Sequence, residues 1–137
     1  MGKITVETCE IEGLKVITPM VFGDERGYFM ETYNYNDYKE AGIDMEFVQD
    51  NQSASRKGVL RGLHFQINYP QDKLVRVSAV KCLMWLWIFG RVLRHTENGM
   101  EFSCLQKIKS SFLFQKILHM VLLCFLIMRS LHINVQI

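Results

Sequence analysis

Apolar and polar positions alternate along the first half of the chain. Ile4 and Val6 alternate with polar neighbours, and so do Leu14 and Val16. Period-two alternation is the mark of a half-buried strand. Tyr28-Phe29-Met30-Glu31-Thr32-Tyr33 is aromatic and β-prone, Phe47-Val48-Gln49-Asp50-Asn51 resumes an extended run, and Leu60-Arg61-Gly62-Leu63-His64-Phe65-Gln66 and Lys73-Leu74-Val75-Arg76-Val77 follow. Gly13, Pro19, Asp24-Glu25-Arg26-Gly27 and Lys57-Gly58 punctuate these runs as turns. Asn36 is placed to cap a short helical turn through Tyr38 and Ala41 that Gly42 ends. Short strands at this spacing predict an antiparallel sandwich or barrel and exclude a βαβ fold.

The pattern breaks near residue 80. Residues 1–80 carry 12 acidic and 9 basic side chains, whereas residues 81–137 carry 2 and 7. Both prolines and seven of the nine glycines precede the break, and three of the four cysteines follow it. No linker, repeat or low-complexity tract marks the join. The whole has 137 residues, about one domain, and 49% apolar residues, enough for a core. A net charge of +2 gives no reason to expect nucleic acid or an anionic membrane as partner. The cysteines form no CxxC and read as free thiols of a reducing compartment. The first residues lack the apolar stretch of a signal peptide, so a cytoplasmic location is expected.

Spacing alone assigns no site. Arg61 and His64 stand three positions apart, and such positions face opposite sides of a strand unless a bulge intervenes. The plain reading is an exposed arginine and a hydrogen-bonded core histidine. Glu31 reads as the solvent-facing member of its strand, Gln49-Asp50-Asn51 as a strand end, and Lys73 as a surface cation.

Four motifs in order change that reading. Val21-Phe22-Gly23-Asp24-Glu25-Arg26-Gly27-Tyr28-Phe29-Met30-Glu31, Phe47-Val48-Gln49-Asp50-Asn51, Gly58-Val59-Leu60-Arg61-Gly62-Leu63-His64-Phe65-Gln66 and Lys73-Leu74-Val75-Arg76-Val77 together resemble the dTDP-4-dehydrorhamnose 3,5-epimerase family. The resemblance covers residues 4–77 and implies a mainly β, cupin-type jelly roll, of which residues 1–79 would form the N-terminal half. It implies isomerisation of dTDP-4-dehydro-6-deoxy-glucose to dTDP-4-dehydro-rhamnose in dTDP-rhamnose biosynthesis. His64 resembles the general base, suited by a pKa near working pH, and Lys73 the cation that stabilises a developing enolate. Arg26 and Arg61 resemble ligands of the nucleotide diphosphate. Glu31, Gln49, Asp50 and Asn51 resemble substrate-positioning residues. No cofactor is expected, because the substrate's ketone acidifies both carbons. No metal is expected either, since metal-binding cupins use His-x-His where this chain has His64-Phe65-Gln66. The implied partners are a dTDP-4-keto-6-deoxy sugar and, for the intact family, a second copy in a homodimer.

Beyond residue 79 the resemblance stops in this reading frame. Met and Trp have single codons, which fixes part of the underlying DNA. Joining the last base of each codon to the first two of the next, with allowed synonymous codons, turns Val80 onward into G-E-V-F-D-V-A-V-D. The same shift gives G-S-E-T-Y, K-W-H-G-V, P-K-D-F-A-H-G and E-F-A-Y-K-C-T-D further on, in an order that resembles the rest of the family. Residues 80–137 are therefore expected to be a non-native, out-of-frame tail, apolar and basic, without the family's second histidine or its tyrosine acid. Two other readings remain: an inactive fragment, and a membrane-anchored nucleotide-sugar binder. The apolar run Ile117 to Met128, broken by His119, is short of the ~18 residues a span needs.

Overall fold

The computed structural model describes residues 4–9, 13–56, 58–64, 66, 68–79, 81–88, 100–105, 109–114, 120–126 and 130–137. For 60–64, 78–79, 81–88, 100–105, 120–126 and 130–136 the description is of the backbone. The elements are β1 (Ile4–Thr8), β2 (Leu14–Pro19), β3 (Val21–Asp24), β4 (Gly27–Met30), α1 (Tyr35–Glu40), β5 (Asp50–Arg56), β6 (Leu60–His64), β7 (Lys73–Ala79), β8 (Lys81–Ile88), β9 (Met100–Leu105), β10 (Ser111–Phe114), β11 (Met120–Leu126) and β12 (Ser130–Gln136).

Two antiparallel sheets and a hairpin organise these strands. The larger sheet runs β1-β2-β10-β7-β12-β5, the smaller β6-β11-β8-β9, and β3 pairs with β4 alone. Residues past the compositional break thus supply strands to both sheets: β10 lies between β2 and β7, and β12 between β7 and β5.

The described core sits on the larger sheet. Ile17 of β2, Leu74 of β7 and Leu113 of β10 pack with Tyr38 of α1 and Ile43, flanked by Ile4, Val6, Tyr33, Met45 and Phe47. Leu74 and Leu113 are register partners, so one cross-strand pair anchors the cluster.

The helix begins two residues earlier than the sequence predicts. Asn34, not Asn36, is the N-cap: its side chain takes the N–H groups of Asn36 at 3.0 Å and Asp37 at 3.4 Å. Aromatic packing decides between the two asparagines. A cap at 34 puts Tyr33 just outside the helix and Tyr38 at its fourth position, where residues meet as a hydrophobic staple. Their rings lie edge to face at 4.9 Å, and Tyr33 meets Phe47 at 5.3 Å. Tyr38 is 1% exposed, and burial drives its phenol pKa far up. The strand predicted through Tyr33 stops at Met30, and the run predicted from Phe47 becomes a strand at Asp50.

Candidate functional site

The sequence-predicted residues are spread over all three sheets. On β6, His64 pairs with Leu122 of β11 and Arg61 pairs with Cys124. Two steps along β11 thus match three along β6, and the register shifts between those pairs. That is a bulge with one extra residue on β6. Leu122 and Cys124 share a face, since strand faces alternate, and directly opposite residues of an antiparallel pair share one too. The bulge therefore sets Arg61 and His64 on the same face, the condition their spacing alone did not meet.

Lys73 opens β7, opposite Phe114 of β10. It is half-buried, not the solvated surface cation of the plain reading, and desolvation holds its ammonium below the ordinary lysine range. A cation already stripped of part of its water is disposed to take a developing negative charge.

Arg26 occupies the turn of the β3–β4 hairpin, where Asp24 pairs with Gly27. Its guanidinium Nε donates to Asp24 Oδ2 at 3.1 Å, and its backbone N–H donates to Asp24 Oδ1 at 2.9 Å. These bonds lower the Asp24 pKa and raise that of Arg26. Both side chains are exposed. The hairpin frames an open hollow of about 450 Å³ lined by Phe22, Asp24, Arg26, Tyr28 and Phe29. Phe29 is 70% exposed, Phe22 53% and Tyr28 51%.

Glu31 follows β4 and is half-buried rather than the solvent-facing strand residue of the plain reading. Its Oε1 accepts from Asn34 Nδ2 at 3.2 Å. Gln49 donates through Nε2 to Asn51 Oδ1 at 3.1 Å, and its backbone exchanges hydrogen bonds with Ile137. Asp50 and Asn51 start β5, in register with Gln136 and Val135.

The structure thus brings Arg61 and His64 onto one face and gathers Gln49, Asp50 and Asn51 at one strand start. Lys73 lies on the larger sheet and Arg26 on the hairpin. Sequence reasoning missed three supporting residues. Asn34 fastens Glu31, and the Asn-x-x-Asp run before Tyr38 was its available signal. Asp24 holds Arg26, and their shared turn was the clue. Lys109 places its ammonium 3.2 Å from the Tyr28 ring centroid, with a left-handed φ of 52°. Nothing in the sequence announces that cation–π contact.

Residues 8–85, more than half of the chain, match the family described as dTDP-4-dehydrorhamnose 3,5-epimerase. The chain belongs to that family. It is 58% identical over 67 residues to a dTDP-4-dehydrorhamnose 3,5-epimerase of Methanothermobacter thermautotrophicus, covering 49% of this chain and 36% of that protein. Against the Escherichia coli (strain K12) protein of the same name identity is 54% over 71 residues, 50% of this chain and 38% of the other. The chain therefore spans little more than a third of the length of these relatives. Backbone likeness reaches much further. A crystal structure of dTDP-6-deoxy-D-glucose-3,5-epimerase from Legionella pneumophila Philadelphia 1, in complex with dTDP-4-keto-L-rhamnose, superposes with a TM-score of 0.87 at 30% identity. It covers 97% of this chain and 70% of that one. The mainly β, jelly-roll expectation stands on this likeness. Among the described residues no helix is long and apolar enough to cross a membrane.

Proposed function

We propose that this chain carries the base-bearing part of a sugar-nucleotide 3,5-epimerase acting on dTDP-4-dehydro-6-deoxy-glucose. The observation that carries the reading is the pairing of Arg61 and His64 on one face of β6, inside the stretch that matches the family. In this reading a diphosphate held by Arg61 and Arg26 presents the keto sugar to His64. His64 removes the protons at C3 and C5, which the C4 carbonyl acidifies. Lys73 stabilises the enolate that forms, and its partial desolvation supports that role. Glu31, Gln49, Asp50 and Asn51 position the nucleotide sugar. The chemistry calls for no cofactor or metal, and its compartment is the cytoplasm.

Two further parts belong to the same proposal. The apolar arm of the hairpin, with Phe22, Tyr28 and Phe29 exposed, suits the homodimer expected of the intact family. Residues 80–137 are the product of a shifted reading frame. Supporting this, the family match ends at residue 85 and the relatives' identity is confined to about half of the chain. The loss of the family's tyrosine acid leaves the activity of this chain impaired.

Solvent-deuterium exchange at C3 and C5 of the keto sugar tests the assignment, with this chain and with a version whose frame is restored near Val80. Exchange is expected to be strong in the restored protein, weak in this chain, and lost from both in His64→Ala. Exchange at the parent rate in the restored His64→Ala variant would overturn it.

A further inference from the structure

Three of the four cysteines lie in the smaller sheet, and its ladder sets two of them against each other: Cys82 of β8 is the register partner of Cys104 of β9. Directly opposite residues of an antiparallel pair have Cα atoms about 5.5 Å apart when they exchange hydrogen bonds and about 4.5 Å apart when they do not. Both separations fall within the range of about 4.4–6.8 Å that a disulfide spans. Register and separation alone thus set no bar to the bond. The third cysteine, Cys124 of β11, pairs with Met84, while Cys82 pairs with Leu126 on that side. Cys124 is thus a diagonal neighbour of Cys82, at about 7–8 Å, beyond the usual reach. Cys9 lies between β1 and β2 of the other sheet.

We propose that Cys82 and Cys104 form a redox-modification site that closes as a cross-strand disulfide, stapling β8 to β9. The oxidant is a small disulfide of the glutathione type. One protein thiolate attacks a sulfur of the oxidant, breaking its S–S bond and releasing one small thiol. The second protein thiolate then attacks the protein sulfur of the mixed disulfide and expels the other small thiol. Two protein thiols are oxidised, one external disulfide is reduced, and the two protons pass to the released thiols. In a reducing compartment the pair rests as thiols and closes only when the disulfide pool rises. The site shares its sheet face with Arg61 and His64, since Leu122, Cys124 and Leu126 alternate along β11 and carry the face across to β8. It rests on the ladder alone and stands apart from the epimerase reading.

The test uses the full chain under native conditions, treated with oxidised glutathione, alkylated and digested with trypsin without reduction. Cleavage after lysine and arginine leaves each cysteine on its own peptide: Cys82 within 82–91, Cys104 within 95–107, Cys124 within 117–129 and Cys9 within 4–15. The expected product joins 82–91 to 95–107, lighter than their sum by two hydrogens. Reduction abolishes it, as does either Cys82→Ser or Cys104→Ser, and Cys124→Ser leaves it unchanged. Of the four thiols, those of Cys9 and Cys124 remain titratable. Four unreacted thiols, or Cys82 cross-linked to Cys9 or Cys124 as often as to Cys104, would overturn the proposal. So would mixed pairings matching those of the same chain oxidised in urea.

Discussion

Arg61 and His64 share one face of β6 although three positions separate them, because the bulge opposite Leu122 and Cys124 absorbs the odd residue. A diphosphate ligand and a base on one face predict that occupation of the first shields the second. In this chain, whose β11 sets that face, dTDP should protect His64 from imidazole acylation, and Arg61→Ala should remove that protection. In the frame-restored protein, Arg61→Ala should act chiefly on nucleotide affinity and KM, whereas His64→Ala should lower kcat by about 10²–10⁴. Peptide mapping of the acylated histidine together with steady-state kinetics separates the two effects. Equal protection in the Arg61→Ala variant would disconnect the pair.

Lys73 places stability and function in opposition. Burial lowers its pKa in the native state, so between that value and the ordinary ~10.4 the unfolded chain binds the additional proton. Stability then rises with pH across this window, and below it the charged head is a constant penalty. Lys73→Met should raise the melting temperature at neutral pH and flatten its rise toward alkaline pH. The same change should slow sugar exchange by about 10²–10³. Thermal melts at a series of pH values check the first part, and an unchanged slope would refute it.

Asn34 serves two masters with one amide. Its oxygen caps α1 and its nitrogen holds Glu31. Asn34→Ala should cost about 0.5–2 kcal/mol of stability. Asn34→Asp keeps the acceptor and suits the helix N-terminus, so its denaturation midpoint should stay near the parent's. Both variants remove the Asn34 hydrogen bond to Glu31, and both should weaken nucleotide binding in the restored protein. Parental affinity in Asn34→Asp would show that Glu31 needs no fastening.

Asp24 competes for the guanidinium that the diphosphate needs. Releasing Arg26 by Asp24→Asn should tighten dTDP binding, by less than about tenfold because exposed ion pairs are weak. The gain should shrink as salt rises. Calorimetric titration at two ionic strengths reads both effects, and weaker binding at low salt would mean that Asp24 positions Arg26 instead.

The short elements of the first half were legible because alternation and turn residues report local conformation. β1, β2, β6 and β7 lie where Ile4, Leu14, Leu60 and Lys73 begin their runs. What could not be read depends on a second strand or a distant residue. The bulge exists only between β6 and β11, so neither strand's sequence declares it. Asn34 and Asn36 are the same residue type, and the meeting of Tyr33 with Tyr38 settles the cap on the first. The desolvation of Lys73 arises from its place at the head of β7 beside β10, a strand from the part of the chain that the motifs do not reach. The candidate base and cation were visible as members of motifs; their surroundings were not.

The order of the larger sheet has a kinetic consequence. Of its neighbouring pairs, only β1 and β2 are consecutive in the chain; β10 enters between β2 and β7, and β12 between β7 and β5. Loop-closure entropy must be met before these pairings return any energy, which places folding in the slow regime, roughly milliseconds to seconds. During that interval β2, β5 and β7 present open edges to other chains. Late strands thus act as guards as well as fillers, and the dilution at which the chain is refolded governs how much of it reaches the complete sheet.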